Sequence, residues 1–157
     1  MYITDLRLEH LYQKSFIDIL AEFMISKPKS FNQDISDNLT DADRIIKGLH
    51  KLMQTGSVIG KAIVDKDNNI QGYLIMLEQY NVFTNLFYAD FYECMVNPIR
   101  TTKTDFVKLF KAMLRELKHR NISKVVFTVA PTSPLYEQME SLPKKYTKVF
   151  STYMRKI

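Results

Sequence analysis

The segment ECMVNPIRTTKTDF, residues 93–106, contains the residue types and spacing in this chain that best suit anion binding. A strand-like apolar run ends at Asn97 and Pro98, because proline cannot donate to a sheet ladder, and a helical pattern begins a few residues later. Between them lie three threonines and two cations: Arg100, Thr101, Thr102, Lys103 and Thr104. Hydroxyl and cationic groups donate hydrogen bonds to phosphate, and unpaired N–H groups at a helix N-terminus favour anions. The turn therefore predicts a phosphate site.

A turn without a ligand explains the same residues. Phosphate-binding turns use glycine because it has no Cβ to hold the backbone away from the ligand, and no glycine follows Gly72 in the sequence. Thr104 could cap the following helix, with Asp105 in its first turn, and that arrangement needs no anion. The carboxylate of Asp105 also disfavours one. Both interpretations stay open at this point.

The apolar run before the turn carries two carboxylates, Asp90 and Glu93, which could relay a proton from an amine through water. Ion pairing with nearby basic side chains is the alternative. Cys94 lies in the same run and is the only cysteine, which excludes disulfide frameworks and cysteine zinc sites. Reactive thiols lie in exposed electropositive surroundings, so we interpret Cys94 as a packed thiol in a reduced intracellular compartment.

Length and composition suit one domain. A chain of 157 residues, 46% of them hydrophobic, can bury one core and is too short for two comfortable ones. Its net charge of +5 is compatible with a phosphate-bearing ligand, an acidic partner or nucleic acid. The N-terminus has no basic stretch followed by an apolar one, and no run approaches the roughly 18 apolar residues of a membrane helix. We therefore predict a cytoplasmic protein without a membrane partner.

Metal chemistry has no support in the sequence. The three histidines, His10, His50 and His119, are too scattered for the spacing of a metal site. Nucleophile motifs such as G-x-S-x-G and a P-loop are also absent from the sequence. We expect no metal.

The N-terminal half predicts one strand and two helices. A short strand at Tyr2 to Leu6 precedes apolar residues at helical spacing, which predict a helix from about Leu8 to Ile25. The polar, proline-containing segment Ser26 to Asn38 predicts a long loop of functional use. A second helix is capped by Thr40 and ends at Gly56.

The middle of the chain predicts the strands that must position the turn. Residues 57–65 and 70–80 are β-branched and apolar, and KDNN between them predicts a hairpin. Residues 86–96, LFYADFYECMV, predict a third long strand that leads into the turn. A helix then begins near Thr104 with one apolar stripe: Phe106, Val107, Leu109, Phe110, Met113, Leu114 and Leu117.

The other face of that helix is basic: Lys108, Lys111, Arg115 and Lys118. Together with Arg120 it could be a nucleic-acid surface. However, no stacking aromatic residues interleave with these charges, and solvated helix faces have the same composition. We do not expect nucleic acid as a partner.

Three further elements are expected near the C-terminus. They are a short buried strand in KVVFTVAP, a short helix in SPLYEQMESL and a closing strand or hairpin in YTKVFSTYMRKI. The serine of the helical segment is expected to cap it, with proline at its first position. The sequence shows no internal repeat and no low-complexity segment.

This order of elements resembles the GNAT superfamily of acyl-coenzyme A-dependent N-acyltransferases. The resemblance rests on Val96 and Pro98 as the V-x-P that ends a strand, and on Leu135 and Tyr136 as a Leu-Tyr pair in the last helix. It covers nearly the whole chain by element order. The implied fold is α+β, in α/β/α layers, with a mixed, mostly antiparallel sheet of six to seven strands flanked by about four helices. Residues 1–157 would form a single GNAT-like domain.

The resemblance also implies a binding site. In that family, V-x-P-x-x-[RQ]-G-x-G-[AG] wraps the coenzyme A pyrophosphate in backbone N–H groups. Acetyl-coenzyme A would then be the cosubstrate, bound by the backbone of Met95 and Val96 and by the turn residues Arg100, Thr101, Thr102, Lys103 and Thr104. Threonine stands where the family has Arg or Gln and two glycines, so the motif is degenerate here.

Catalytic roles follow from the same resemblance. Tyr136 would protonate the leaving thiolate, Glu93 would act as the base, and the backbone around Met95 and Val96 would hold the oxyanion. The implied activity is N-acetyl transfer to an unidentified amine, with Ser26 to Asn38 shaping the acceptor site. The alternative is a catalytically inactive GNAT-like binding or structural protein, of viral or mobile-element origin, that has lost the coenzyme site and binds a protein partner.

Overall fold

A five-stranded β-sheet forms the centre of the computed structural model, which describes residues 1–26 and 42–127. The strands lie side by side in chain order: β1 (Tyr2–Asp5), β2 (Val58–Val64), β3 (Ile70–Asn81), β4 (Leu86–Val96) and β5 (Val125–Phe127). The pairs are antiparallel except for β4 and β5, which are parallel. A parallel pair needs a crossover connection, and a helix supplies it between these two strands.

Helices cover both faces of this sheet. They are a 3₁₀ helix at Leu8–Tyr12, α1 (Lys14–Ser26), α2 (Ala42–Gln54) and α3 (Lys103–His119). The described residues belong to one compact unit, Met1–Phe127. None of the helices in this described part is both long and apolar enough to cross a membrane.

The predicted α+β fold class is confirmed. The described part contains five strands and three α-helices, against the expected six to seven strands and about four helices. The helix expected at 133–142 and the closing strand or hairpin at 146–157 lie outside the described residues. The strand predicted in KVVFTVAP is described only for Val125–Phe127.

Two apolar clusters hold the layers together, one on each face of the sheet. On one face, side chains of α1, α2 and the 3₁₀ helix pack against Tyr73, Ile75 and Met95. On the other face, α3 packs against Leu74, Met76 and neighbouring strand residues. Side chains alternate between the two faces of a strand, so a residue's cluster shows which face it occupies.

The prediction of one continuous first helix from about Leu8 is wrong. Gln13 has an extended backbone and separates the 3₁₀ helix from α1. Its side-chain oxygen accepts the N–H of Ile70 at 2.9 Å, and its side-chain nitrogen donates to the carbonyl of Asn68 at 3.0 Å. The interruption therefore ties this segment to the β2–β3 hairpin, a long-range contact that helical periodicity cannot predict.

Other local predictions agree with the structure. Asn68 has a φ of 61° in the β2–β3 turn, and Gly56 has a φ of 76° just after α2, as expected for a turn and a helix end. The strand predicted at 86–96 is β4 without change. Thr40, the predicted cap of the second helix, lies outside the described residues.

The predicted apolar stripe of α3 is confirmed only in part. Leu109, Met113 and Leu117 are buried against the sheet. Phe106 and Val107, near the start of the helix, are exposed, and so is Leu114. The buried set is narrower than the sequence stripe because the sheet covers only one side of the helix.

Ion pairs attach the C-terminal half of α3 to the sheet. Glu116 accepts hydrogen bonds from Arg120 at 2.8 Å and from Lys61 at 3.1 Å. Both bonds lower the pKa of Glu116, and the bond from Arg120 has the larger effect. Lys61 also pairs with Asp5 of β1 at 2.5 Å, and Arg120 pairs with Glu78 of β3 at 3.3 Å. Three strands are thus tied to one helix.

We expect protonation of His10 to destabilise the fold in acid. His10 is buried, and its Nδ1 accepts the N–H of Arg7 at 3.0 Å. Burial is the main cause that lowers its pKa below the ordinary 6.5. Since the folded state binds this proton less tightly than the unfolded state, the stability that His10 contributes is complete above the unfolded pKa and is lost as pH falls through the folded one.

Urea unfolding at about pH 7.5 and about pH 5, which bracket histidine titration, checks this expectation. The wild-type free energy of unfolding should fall between the two pH values, and it should fall less in His10→Asn, which keeps an acceptor but does not titrate. His119→Asn, at an exposed position, is the matched control and should behave as wild type. An equal loss in His10→Asn would contradict the assignment.

Candidate functional site

Strand β4 contains an extra residue at Tyr92. Glu93 lies opposite Ile75 of β3 while Phe91 lies opposite Met76, so Tyr92 has no partner of its own in the register with β3. Such a bulge bends the strand and turns side chains to new directions, and bulges are frequent next to active sites. In the described residues, the last pair between β4 and β5, Phe91 with Phe127, directly precedes it. The predicted base, Glu93, directly follows it.

Glu93 lies on the sheet face that α1 and α2 cover. Directly opposite residues of an antiparallel pair share a face, and its partner Ile75 belongs to the cluster on that side. Asp90 shares this face, because its partner Leu77 packs against the same cluster. The bulge thus keeps the two carboxylates on one face although they are three residues apart in sequence.

Two polar side chains on this face have buried oxygen atoms, the hydroxyl of Tyr73 and Oδ1 of Asp90. The Tyr73 hydroxyl interacts with Glu93, whereas Oδ1 of Asp90 has no hydrogen-bond partner in the described part of the chain. Burial, and then the negative charge of Glu93, raises the pKa of Tyr73 far above its usual range, and burial raises the pKa of Asp90. Unpaired buried polar atoms are rare in native proteins, so Oδ1 of Asp90 is a polar group that the packing of this face does not require.

Cys94 is a packed thiol, as the sequence indicated. Its cross-strand partner is Leu74, and it packs against the α3-side cluster. Burial, and then the charge of Glu93, raises the pKa of the Cys94 thiol to about 12. The thiol therefore stays protonated at neutral pH and is a poor nucleophile.

The end of β4 lies unusually close to β3 at Gly72. A Cβ on Gly72 would lie 2.9 Å from Cγ1 of Val96 and 3.1 Å from the carbonyl oxygen of Met95. Gly72 thereby sets the position of the two residues predicted to hold an oxyanion. Sequence reasoning did not assign it this role, although an isolated glycine inside a strand pattern is a signal of close backbone approach.

Of those two residues, Val96 directs its N–H toward the β5 side. The N–H of Asn97 donates to the carbonyl of Gln71 in β3 at 2.8 Å. Since N–H groups alternate between the two edges of a strand, Met95 points its N–H toward β3 and Val96 points its N–H to the opposite edge. The Met95 side chain is buried in the α1-side cluster.

The turn after β4 satisfies most of its own N–H groups through Asn97. The side-chain oxygen of Asn97 accepts the N–H groups of Ile99 at 3.0 Å and Arg100 at 3.2 Å. The backbone carbonyl of Asn97 accepts the N–H of Thr101 at 3.0 Å and its hydroxyl at 2.5 Å. In the first half of the predicted phosphate turn, the backbone N–H groups are therefore already bonded to Asn97 and are not available to a ligand.

Thr102, and not Thr104, caps α3. Thr102 is extended, and its hydroxyl oxygen accepts the N–H of Asp105 at 3.2 Å. The Asp105 carboxylate in turn accepts the N–H of Thr102 at 3.0 Å and its hydroxyl at 2.8 Å. This reciprocal arrangement is a capping box, and the hydrogen bonds from Thr102 lower the pKa of Asp105. An ionised carboxylate thus occupies the helix N-terminus.

The turn offers a diphosphate a reduced set of donors. Within the described residues, the N–H groups of Lys103 and Thr104 are the two in this turn that have no internal acceptor. The side chains of Arg100, Lys103 and Thr104 are exposed. Two backbone donors, one hydroxyl and two cations could therefore contact an anion, and the charge of Asp105 opposes it.

Other predicted site residues lie outside this region or outside the described residues. Tyr136 and the segment Ser26 to Asn38 fall among residues that the structure does not describe, apart from Ser26 at the end of α1. No group of three or more His, Cys, Asp or Glu side chains in residues 1–26 and 42–127 could hold a metal ion. The basic face of α3 is exposed, but Arg120 is engaged in ion pairs.

Solved structures with similar folds match this chain over nearly its whole length. A ribosomal-protein-alanine N-acetyltransferase from Brucella melitensis biovar Abortus 2308 is 18% identical, with a TM-score of 0.67 over 100% of both chains. A possible acetyltransferase from Clostridium difficile 630 is 14% identical, with a TM-score of 0.73 over 99% of this chain and 97% of that one. An aminoglycoside acetyltransferase from an uncultured soil metagenomic sample is 15% identical, with a TM-score of 0.68 over 99% and 95%. No protein-family model and no curated protein sequence matches the chain.

The assignment of the cap predicts different effects for two neighbouring threonines. Thr102→Val removes the acceptor for the N–H of Asp105 and should lower the free energy of unfolding by about 1 kcal/mol. Thr104→Val, the matched control, removes an exposed hydroxyl of the first helical turn and should change it by less than about 0.5 kcal/mol. Urea unfolding measures both values. A larger loss in Thr104→Val than in Thr102→Val would overturn the assignment.

Proposed function

The chain has the fold of the GNAT superfamily, and from this premise we propose that it transfers an acyl group from acetyl-coenzyme A to an amine. The position of Glu93 carries the proposal. Glu93 directly follows the bulge in β4 and lies beside the buried hydroxyl of Tyr73, on the same sheet face as Asp90. A carboxylate placed in this way is suited to take a proton from an acceptor.

The reaction requires a neutral amine, a donor for the tetrahedral oxyanion and a proton for the leaving sulfur. Glu93 takes the proton from the ammonium form of the acceptor, through water. The N–H of Val96, on the β5 edge of β4, donates to the oxyanion. As the C–S bond breaks, Tyr136 gives a proton to the thiolate and regains one from the nitrogen that becomes the amide. Only the family resemblance supports this role.

The cosubstrate is held at the turn after β4. Its diphosphate accepts the N–H groups of Lys103 and Thr104 and pairs with the side chains of Arg100 and Lys103. These contacts replace the glycine backbone of the family motif by cationic side chains. The proposal includes one GNAT-like domain over residues 1–157, a cytoplasmic location, and an acceptor site shaped by Ser26 to Asn38.

A second candidate function is a binding or structural protein without catalysis, which acts through a protein partner. The closure of the turn favours this candidate. Five of its N–H groups, those of Ile99, Arg100, Thr101, Thr102 and Asp105, bond inside the protein. The ionised carboxylate of Asp105 adds repulsion toward a diphosphate. Fold alone does not imply function, so the two candidates are separated by experiment.

Acetyl-coenzyme A binding distinguishes the two candidates. Isothermal titration should give saturable binding, weakened about tenfold by Arg100→Ala or Lys103→Ala, which corresponds to about 1.4 kcal/mol per lost cation contact. Asp105→Asn should bind more tightly than wild type, because it removes the opposing charge. Lys66→Ala, at an exposed cation in the β2–β3 turn, is the matched control and should bind as wild type. Absence of binding in wild type and Asp105→Asn alike would favour the second candidate.

Loss of the base tests the catalytic role. Glu93→Gln should lower kcat/KM for thiol release from acetyl-coenzyme A by about 10² to 10⁴, the contribution of a general base. A thiol-trapping assay over a broad set of amines measures it, and acetyl-coenzyme A affinity should not change. Glu9→Gln, at an exposed carboxylate of the 3₁₀ helix, is the control. Full activity of Glu93→Gln, with loss in Asp90→Asn, would move the base to the other carboxylate of β4.

A further inference from the structure

The β3–β4 hairpin extends beyond the rest of the sheet. Pairing of β2 with β3 ends at Leu77, and the last hydrogen bond on that side joins the N–H of Glu78 to Ser57. On the other edge, pairing of β4 with β5 begins at Ala89. Residues 79–88 therefore form a two-stranded ribbon that neither neighbouring strand of the described sheet reaches. We name this ribbon the distal arm.

The distal arm exposes large apolar side chains on its tip and on both faces. Phe83 is 96% exposed and Val82 is 71% exposed, and about half of each of Tyr80, Leu86 and Phe87 is accessible. Tyr80 and Phe87 lie directly opposite each other, with ring centroids 5.1 Å apart, and Leu86 lies on the other face, opposite Asn81. Large apolar side chains exposed together on one short segment are typical of an interaction site.

The arm also carries no charge. Its sequence, QYNVFTNLFY, has no Asp, Glu, Lys or Arg, whereas 25% of the whole chain is charged. Natural proteins usually protect an open strand edge with charged residues, proline or a covering segment. The arm has no charged residue and no proline, and both of its edges continue past the described neighbouring strands. Among the described residues, the edges of the arm are therefore open to pairing with another strand.

We propose that two copies of this chain associate through their distal arms, related by a two-fold axis. The chain is basic, with a net charge of +5, so a contact between two copies is opposed by repulsion wherever their cations meet. Because the ten residues of the arm carry no charge, this repulsion is absent where two arms meet. An acidic partner would instead be recognised by cations, which the arm lacks. Two-fold dimers are also the commonest oligomers of soluble proteins.

The exposed area is of the right size for a dimer. Phe83 is almost fully exposed and Tyr80 and Phe87 are about half exposed, so the three rings offer roughly 300–500 Å² per arm, at about 150–250 Å² for one buried aromatic side chain. Val82 and Leu86 add to this area. Two arms packed together approach the roughly 1,200 Å² at which stable interfaces begin. Backbone pairing along the open edges would add hydrogen bonds to this apolar contact.

The arm is separate from the candidate active site. β4 runs from Leu86 at the arm to Val96 at the turn, a length of about 33 Å at the rise of an extended strand. Substitutions at the tip of the arm leave Glu93 and the turn in place. Association and catalysis can thus be tested independently.

Sedimentation equilibrium of the 157-residue protein, from micromolar to millimolar concentration, tests the proposal. Wild type should give twice the chain mass of 18.5 kDa. The double variant Val82→Asp, Phe83→Asp should give the mass of one chain. An unchanged far-ultraviolet circular dichroism spectrum shows that the variant is folded. We expect this result because the altered side chains point into solvent, while the turn N–H groups bond to Asn81.

A matched control carries the same added charge elsewhere. The double variant Tyr2→Asp, Ile17→Asp replaces two exposed apolar residues outside the arm, and it should keep the mass of two chains. A wild-type protein that has the mass of one chain at every concentration overturns the proposal, and so does a dimer that survives the arm substitutions. Monomeric wild type that sediments with phosphatidylserine vesicles, and loses this with the arm substitutions, would assign the arm to a membrane instead.

Discussion

The backbone pairing of β4 is the constraint on which the rest of the structure depends. β4 is antiparallel to β3 along its length and parallel to β5 over Ala89 to Phe91. A parallel neighbour cannot follow through a tight turn, so the chain must cross over the sheet, and α3 is that crossover. The N-terminus of α3 and the turn at Asn97 consequently lie at the end of β4, a few residues from Glu93. The geometry of a candidate acyltransfer site follows from this one choice of strand direction.

At the turn after β4, internal acceptors compete with an external anion for the backbone N–H groups. A glycine loop leaves its N–H groups open, whereas here Asn97 and Asp105 take up most of them. The internal acceptors stabilise the turn without a ligand, since a capped helix end needs no anion. The cations Arg100 and Lys103 remain exposed at its surface. An anion binds at this turn only if its contacts with the cations and the open N–H groups are stronger than its repulsion by the Asp105 carboxylate.

The two ends of β4 have different chemistry. At the Val96 end, Glu93, the Tyr73 hydroxyl and the cations of the turn lie around the strand, while at the Leu86 end the hairpin is neutral and apolar. The bulge at Tyr92 separates these regions, and the ion pairs of Lys61 and Glu116 fix α3 against the sheet on the other face. One strand thus carries chemically different groups at its two ends.

The sequence by itself determined the elements, because their periodicity, turns and breakers are local. It predicted β4, the β2–β3 hairpin and the end of α2 at Gly56 correctly. Only the tertiary structure decided that Gln13 interrupts the first helix, that Thr102 caps α3, and that Tyr73, Asp90 and Glu93 share one face. Each of these depends on strand register, or on a hydrogen bond that the local sequence does not distinguish from its alternatives. Register is set by packing across the whole sheet, where a shift of one residue exchanges the two faces of a strand.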